Sequence, residues 1–203
     1  MKTHPLALGL ATAALLAASG CGKQENKGPN GTPAAQTPKA QKEAGTKTIA
    51  AGLAPNSRFV AIAKAAGIDQ TLAGPGPYTV FVPDDAAFAQ APAGTFDVDP
   101  KNRPQLTAVL TNLILPGTVL VEDIDKTIDA GKGKAILATM GGGTLTATKD
   151  GDKTVLADSS GHKATITQGD EKYTNGVVHH VDAVLMPSKK TAAPLSVGQK
   201  AGK

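Results

Sequence analysis

The residues best equipped for chemistry lie in "TNGVVHHVDAVLMP", Thr174–Pro187, where His179 and His180 stand side by side in an apolar run behind Asn175–Gly176. Imidazoles titrate near neutral pH, ligate metals and carry protons. Asp182 follows two positions later, and Asp84–Asp85 in "PDDAAF" and Asp170 in "QGDEK" add carboxylates. Such a set could hold a metal, do acid–base work, contact a partner, or simply satisfy itself inside the fold.

Sharing one ion would require both rings to converge within about 2 Å of it. Neighbouring residues of a strand point to opposite faces, so His179 and His180 are not expected to ligate together. Asp84 and Asp85 would need an accompanying base or nucleophile for catalysis, and the sequence sets none beside them. Helix capping accounts for both, with Asp84 as N-cap and Asp85 in the first turn, where the helix dipole favours a negative charge. "GKGK" (Gly131–Lys134) and "GGG" (Gly141–Gly143) lack the Gly-x4-Gly-Lys-Ser/Thr order of a phosphate loop. No catalytic residue, metal or cofactor is expected.

The elements that must position these residues follow from periodicity. Thr48–Ile68 has a helical period with a break at Pro55, Ser57 as a cap, and Phe59, Ile62, Ala63 and Ala66 on one face. "YTVFVP" is a strand, "DDAAFAQA" a short helix, and "PQLTAVLTNLIL" a helix opened by Pro104. "VEDIDKTIDAG" adds a helical turn. From Thr144 the period becomes two: "TLTAT", "TVLAD", "ATIT" and "VVHHVDAVLM" read as strands separated by the turns "KDGDK", "SSGHK" and "QGDEKYTNG". Helices first and an antiparallel meander after is α+β patterning. Both faces of Val177–Met186 are largely apolar, so this strand should be central and covered on both sides. An unsatisfied buried imidazole costs about 1–3 kcal/mol, so His179 is expected to donate to backbone or a neighbouring side chain and fix the register. On the opposite face His180 beside Asp182 is expected to form a partly exposed, pH-sensitive pair. Asn175–Gly176 supplies a turn.

Charge narrows the partners. The chain's +4 formal charge is not spread evenly: within residues 48–187, eleven Lys and Arg face fifteen Asp and Glu. The basic surplus sits on the flanks, and aromatics are 3% of the chain with no Trp. A nucleic-acid partner is not expected. Residues 1–20 read as an export signal, with a polar start and an apolar run too short for a membrane span. The small residues that follow lead to Cys21, the single cysteine. "LLAASGC" resembles the bacterial lipobox, which makes Cys21 the expected lipidated first residue of the mature protein. The signal at 1–20 is followed by a tether over 21–46, rich in Pro, Gly, Gln and Lys, and a basic tail closes the chain at 188–203; both lack the apolar periodicity of a folded segment.

Three segments jointly resemble the fasciclin I-type domain. "GPYTVFVPDDAAFAQAP" is similar to its first signature, "TNGVVHHVDAVLMP" to its second, and "LTAVLTNLILPGTVLVEDI" to the helix and Pro-Gly segment between them. The resemblance covers the expected domain at 47–187. It implies a single α+β domain, a fasciclin-like wedge-shaped β-sandwich with helices packed against it, in a surface module that binds proteins or matrix and has no enzymatic activity. His179 matches the family's usual histidine. Asn112 and Leu113 stand where Tyr-His is frequent, and only Asp170 matches the acidic adhesive motif of animal members, so integrin recognition is not implied.

The function expected is therefore a non-enzymatic, lipid-anchored adhesion or protein-binding module of the cell envelope. Its partner would be a protein, a matrix or surface ligand, or a second copy. Asp84, Asp170, Asn175, His179, His180 and Asp182 are the structural or interface candidates. Two alternatives stay open: an envelope small-ligand binder or enzyme with a pocket, and a passive envelope protein associating through its basic tail.

Overall fold

The computed structural model describes residues 45–187; Cys21, the signal-like start, the tether and the basic tail lie outside the described residues. The first helical stretch folds as three short pieces, α1 (Ile49–Gly52), α2 (Arg58–Ala66) and α3 (Asp69–Ala73). Ser57 caps α2 by accepting the Val60 N–H at 3.3 Å, and Phe59, Ile62, Ala63 and Ala66 are buried. After β1 (Tyr78–Pro83) come α4 (Asp85–Ala89), a 3-10 turn (Pro100–Asn102), α5 (Arg103–Asn112), β2 (Ile114–Pro116) and α6 (Val121–Ala130). The chain then runs through β3 (Ala135–Ala138), β4 (Thr144–Asp150), β5 (Lys153–Ala157), β6 (Lys163–Tyr173) and β7 (Gly176–Val181).

The seven strands form one mixed sheet in the order β2-β1-β7-β6-β5-β4-β3. Strand β6 joins its two halves, pairing with β5 through Lys163–Thr165 and with β7 from Ile166 to Tyr173. The sheet curls nearly into a barrel: just beyond β3, the Met140 N–H donates to the Ile114 carbonyl of β2 at 2.8 Å. Helices pack against it, which is the α+β architecture expected, and the layers of the expected sandwich are the two halves of one continuous sheet. The core is aliphatic, with Leu106, Leu110, Leu113, Ile124, Leu145 and Leu156 at 0–1% exposure around Phe59 and Phe81.

Four differences from the sequence reading have physical causes. Strand β7 pairs with β1 in parallel, from Tyr78↔Gly176 to Pro83↔Val181, a contact between distant segments that no local period announces. The helix at 104–115 stops at Asn112, and Ile114 and Leu115 extend to pair with Val80 and Thr79. "QGDEKY" is not a turn but the second half of β6. Register shifts between Ile166 and Gln168 and between Gln168 and Glu171 break its alternation, as bulges do. Strand β7 ends at Val181 rather than Met186. Beyond it, side chains take the backbone groups a ladder would use: Asp182 Oδ1 accepts the Thr165 N–H at 2.6 Å, and Asp158 Oδ2 accepts the Met186 N–H at 2.8 Å.

Candidate functional site

His179 lies at the centre of the sheet with no exposed surface. Its parallel neighbour across the ladder is Phe81, the two rings 5.6 Å apart and tilted by 32°. Both ring nitrogens are engaged. Nε2–H donates to the Val119 carbonyl at 2.9 Å, and Nδ1 accepts the Asp170 N–H at 3.0 Å. That pattern requires the neutral ring with its proton on Nε2. Burial pushes the pKa of His179 below its ordinary value, outweighing the Val119 carbonyl and the Asp170 carboxylate, which favour the charged form. The imidazole ties β7 to the β6 bulge and to the loop before α6.

That loop is fixed from two other sides. Buried Thr79 on β1 donates through Oγ1 to the Gly117 carbonyl and accepts the Val119 N–H, both at 2.8 Å. Asp170, at φ 62, aims Oδ1 at the Val121 N–H, 2.9 Å away, and so satisfies the first turn of α6. Gly169 is required beside it, because a Cβ there would strike the Val121 side chain. Thr79 was not foreseen from the sequence; a lone threonine in an apolar strand gives no signal of its own.

Asn175 clamps the other end of β7. Its Oδ1 accepts the Ile49 N–H at 2.8 Å, and its Nδ2 donates to the carbonyls of Leu72 at 2.8 Å and Gly74 at 2.9 Å. One buried amide therefore fastens α1 and the end of α3 to the turn entering β7. Asn175→Ala would leave a buried N–H and two carbonyls unpaired, and is expected to lower stability by about 2–3 kcal/mol, read from urea unfolding.

The exposed chemistry lies around His180. The expected pairing with Asp182 is corrected by the geometry, since the Asp182 carboxylate is turned to the Thr165 backbone. His180 instead faces Glu171 across the ladder, Nε2 to Oε2 at 3.2 Å, and Asp84 at the end of β1, Nδ1 to Oδ1 at 3.6 Å. Asp84 occupies the N-cap position of α4, but its side chain makes no capping hydrogen bond, so its expected capping role is corrected too. It is Asp85 that serves a helix end, accepting the Arg58 N–H of α2 at 2.8 Å. Glu171 also accepts from the Tyr173 hydroxyl at 2.6 Å. Burial, reinforced by that carboxylate, drives the Tyr173 pKa well above the usual phenol range, so Tyr173 remains a donor. Asp84, His180, Glu171 and Tyr173 thus form a polar chain from the end of β1 across β7 to β6. Glu171 was missed in the sequence because its strand reads as a turn.

Among the described residues no group of three or more His, Cys, Asp or Glu could hold a metal ion, and no helix is long and apolar enough to cross a membrane. Asn112 is buried at the end of α5, where its Oδ1 meets Thr139 Oγ1 at 3.4 Å, so it presents no exposed contact.

This fold is shared with known proteins. The sequence matches the Fasciclin domain family over residues 55–187, and the chain belongs to that family. It is 34% identical over 142 residues to protein sll1483 of Synechocystis, covering 68% of this chain and 71% of that one. Immunogenic protein MPB70 of Mycobacterium bovis is 30% identical over 112 residues, 55% of this chain and about half (51%) of its own length. Transforming growth factor-beta-induced protein ig-h3 of Sus scrofa is 33% identical over 133 residues, 65% of this chain but 18% of that protein. Among solved structures, the FAS1 domain pair of the insect cell adhesion molecule fasciclin I superposes with a TM-score of 0.59 at 17% identity, over 73% of this chain and 53% of that one. That structural likeness speaks to the fold alone.

Proposed function

We propose that this chain is a non-enzymatic adhesion or protein-binding module of the cell envelope, moored by lipid at Cys21 and displayed on the tether of residues 21–46. Membership of the fasciclin family carries the reading, since the domain is an adhesion or binding module in related proteins. The disposition of polar groups agrees with it. His179, Asp170 and Asn175 are committed to the fold's own backbone, whereas Asp84, His180 and Glu171 stand partly exposed on one surface. That surface is the contact we assign to a protein or matrix ligand. Many anchored copies would turn a weak contact into firm attachment.

The anchor and the contact are tested separately. Cys21→Ser is expected to move the protein from the membrane fraction to the soluble fraction and to abolish attachment of cells to ligand-coated surfaces. The triple variant Asp84→Asn/Glu171→Gln/His180→Ala should weaken ligand capture by the whole chain at least tenfold. Its unfolding free energy should change by less than about 1 kcal/mol, because exposed ion pairs contribute little. Unchanged capture would move the contact elsewhere on the domain. Equal attachment of cells with and without the protein would remove the adhesive reading. Deleting Ser188–Lys203 is expected to change attachment little; a salt-sensitive loss would instead favour passive association through the basic tail.

A further inference from the structure

Asp158 lies outside the candidate site described above, yet few carboxylates in the domain are so completely engaged. Its side chain is 1% exposed. Oδ1 accepts the backbone N–H groups of Ser160 at 2.8 Å and His162 at 3.0 Å. Oδ2 accepts the Met186 N–H at 2.8 Å and the His162 Nδ1–H at 2.7 Å. One buried carboxylate therefore shapes the β5–β6 turn, orients the His162 ring and holds the segment after β7 against that turn. With Nδ1 committed to Asp158, His162 keeps Nε2 for another partner, and its side chain is 55% exposed.

What Asp158 assembles is one end of a groove of about 650 Å³, within the ~300–1,000 Å³ usual for small-ligand sites. Its floor is apolar: Ala91, Ala183, Val184 and Met186 are partly buried side chains packed on the core. The rim near the turn carries His162 and Lys163. Among the described residues no Asp or Glu lines the groove, although acidic residues outnumber basic ones across residues 48–187. A hydrocarbon floor closed at one end by a cation and an oriented imidazole complements a ligand with an apolar body and a single negative head.

We infer that this groove binds a single-chain carboxylic acid, with its hydrocarbon over Ala91, Val184 and Met186 and its carboxylate between Lys163 Nζ and His162 Nε2. The Asp158 carboxylate behind the ring holds Nδ1–H and so turns the Nε2 edge towards the ligand's carboxylate, beside the Lys163 ammonium, whose hydrogen bond to it is charge-assisted and stronger than a neutral one. The site is preorganised, because Asp158 fastens both the turn and the Ala183–Pro187 segment before any ligand arrives. An anionic polysaccharide would match the cationic end but leave the apolar floor uncovered. This site shares no residue with the Asp84–His180–Glu171 surface and does not depend on the adhesive reading.

The experiment titrates the whole chain, carrying Cys21→Ser so that no lipid of its own competes, with octanoate, decanoate and dodecanoate below their micellar concentrations. Binding is followed through the Met186 methyl and His162 ring resonances and by calorimetry. Saturable one-site binding is expected, tightening about two- to threefold per added methylene, short of the roughly fourfold for full burial because the groove is open on one side. Decanol should bind at least tenfold more weakly than decanoate, and Lys163→Gln should weaken decanoate about tenfold. Val184→Asp should abolish binding; should that variant fail to fold, Pro92→Asp on the exposed rim carries the same test. Lys153→Gln, at the far end of β5, should leave the affinity unchanged. The proposal is overturned if the Met186 and His162 resonances do not saturate. It is equally overturned if Lys163→Gln and Val184→Asp bind like the parent. Binding that emerges only after Ser188–Lys203 is removed would assign the groove to the chain's own end. Binding that only splits a dimer would assign it to a second copy. Either result also overturns the proposal.

Discussion

His179→Ala is expected to lower the unfolding free energy by about 3–4 kcal/mol, a large share of a domain's typical stability. The loss has two sources. Removing a fully buried ring beside Phe81 opens a cavity in the middle of the sheet. It also orphans the Val119 carbonyl and the Asp170 N–H, which the ring now satisfies. A pH signature separates this account from a generic packing loss. The pKa of His179 is lowered in the folded protein, principally by burial. Above the ordinary imidazole value of about 6.5 both folded and unfolded chains carry the neutral ring, and the contribution is present in full. As pH falls below that value the unfolded chain takes up the proton first. The stabilisation then declines towards the depressed folded pKa, at up to about 1.4 kcal/mol per pH unit. Urea unfolding of parent and variant between pH 7.5 and 4.5 should therefore give a difference that is largest at neutral pH and narrows on acidification. A difference independent of pH would contradict the neutral assignment. A fully stable His179→Ala that lost ligand capture would recast the residue as a contact.

How much of this was legible in the sequence depends on how local the cause is. The capping of α2 by Ser57 and the buried face of Phe59, Ile62, Ala63 and Ala66 follow from short-range pattern, and both were readable. So was the placement of β4 and β5, whose alternation is uninterrupted. Strand β3 was not: only Ala135 and Leu137 face the core against Ile136 and Ala138 outside, too few residues for a period to emerge. The second half of β6 was hidden for a different reason. Its bulges place Asp170 at positive φ and disturb the alternation, while Gly169 and Asp170 look like turn residues. Yet those features bring Asp170 to both His179 and α6. The composition that disguised the strand is the one that builds the contact.

The candidate residues divide in the same way. A histidine in an apolar strand demands partners, so the commitment of His179 was predictable while the identity of Val119 and Asp170 was not. His180 was matched to Asp182 by strand alternation. The ladder instead sets it near Glu171 of β6 and Asp84 at the end of β1, because the parallel β1–β7 pairing carries the end of β1 alongside it. Asp158 closes "TVLAD", which reads as a strand, and His162 lies in "SSGHK", which reads only as a hairpin turn. The reach of Asp158 to Met186 depends on where the chain goes after β7, which no local pattern specifies.

The parallel β1–β7 seam yields the second large expectation, at Gly176. Here φ is 153°, and a Cβ would be driven into the backbone carbonyl of Tyr78, the residue directly paired with Gly176 across the ladder. Neither party can yield cheaply. The Tyr78 N–H is held by the Asn175 carbonyl at 3.0 Å, and Asn175 is itself clamped to Ile49, Leu72 and Gly74. Gly176→Ala is therefore expected to lower stability by more than about 4 kcal/mol, in the range reserved for substitutions that break a named structural constraint. Gly151 is the internal comparison. It has φ 59° in the β4–β5 turn, and nothing lies within 4 Å of a Cβ there, so Gly151→Ala meets only the backbone preference against left-handed geometry, about 1–2 kcal/mol. Thermal unfolding of both variants gives the test. A large drop for Gly176→Ala beside a small one for Gly151→Ala locates the constraint in the close approach of β7 to β1. Equal drops would leave only φ, and the tight seam on which the position of His179 rests would have to be redrawn.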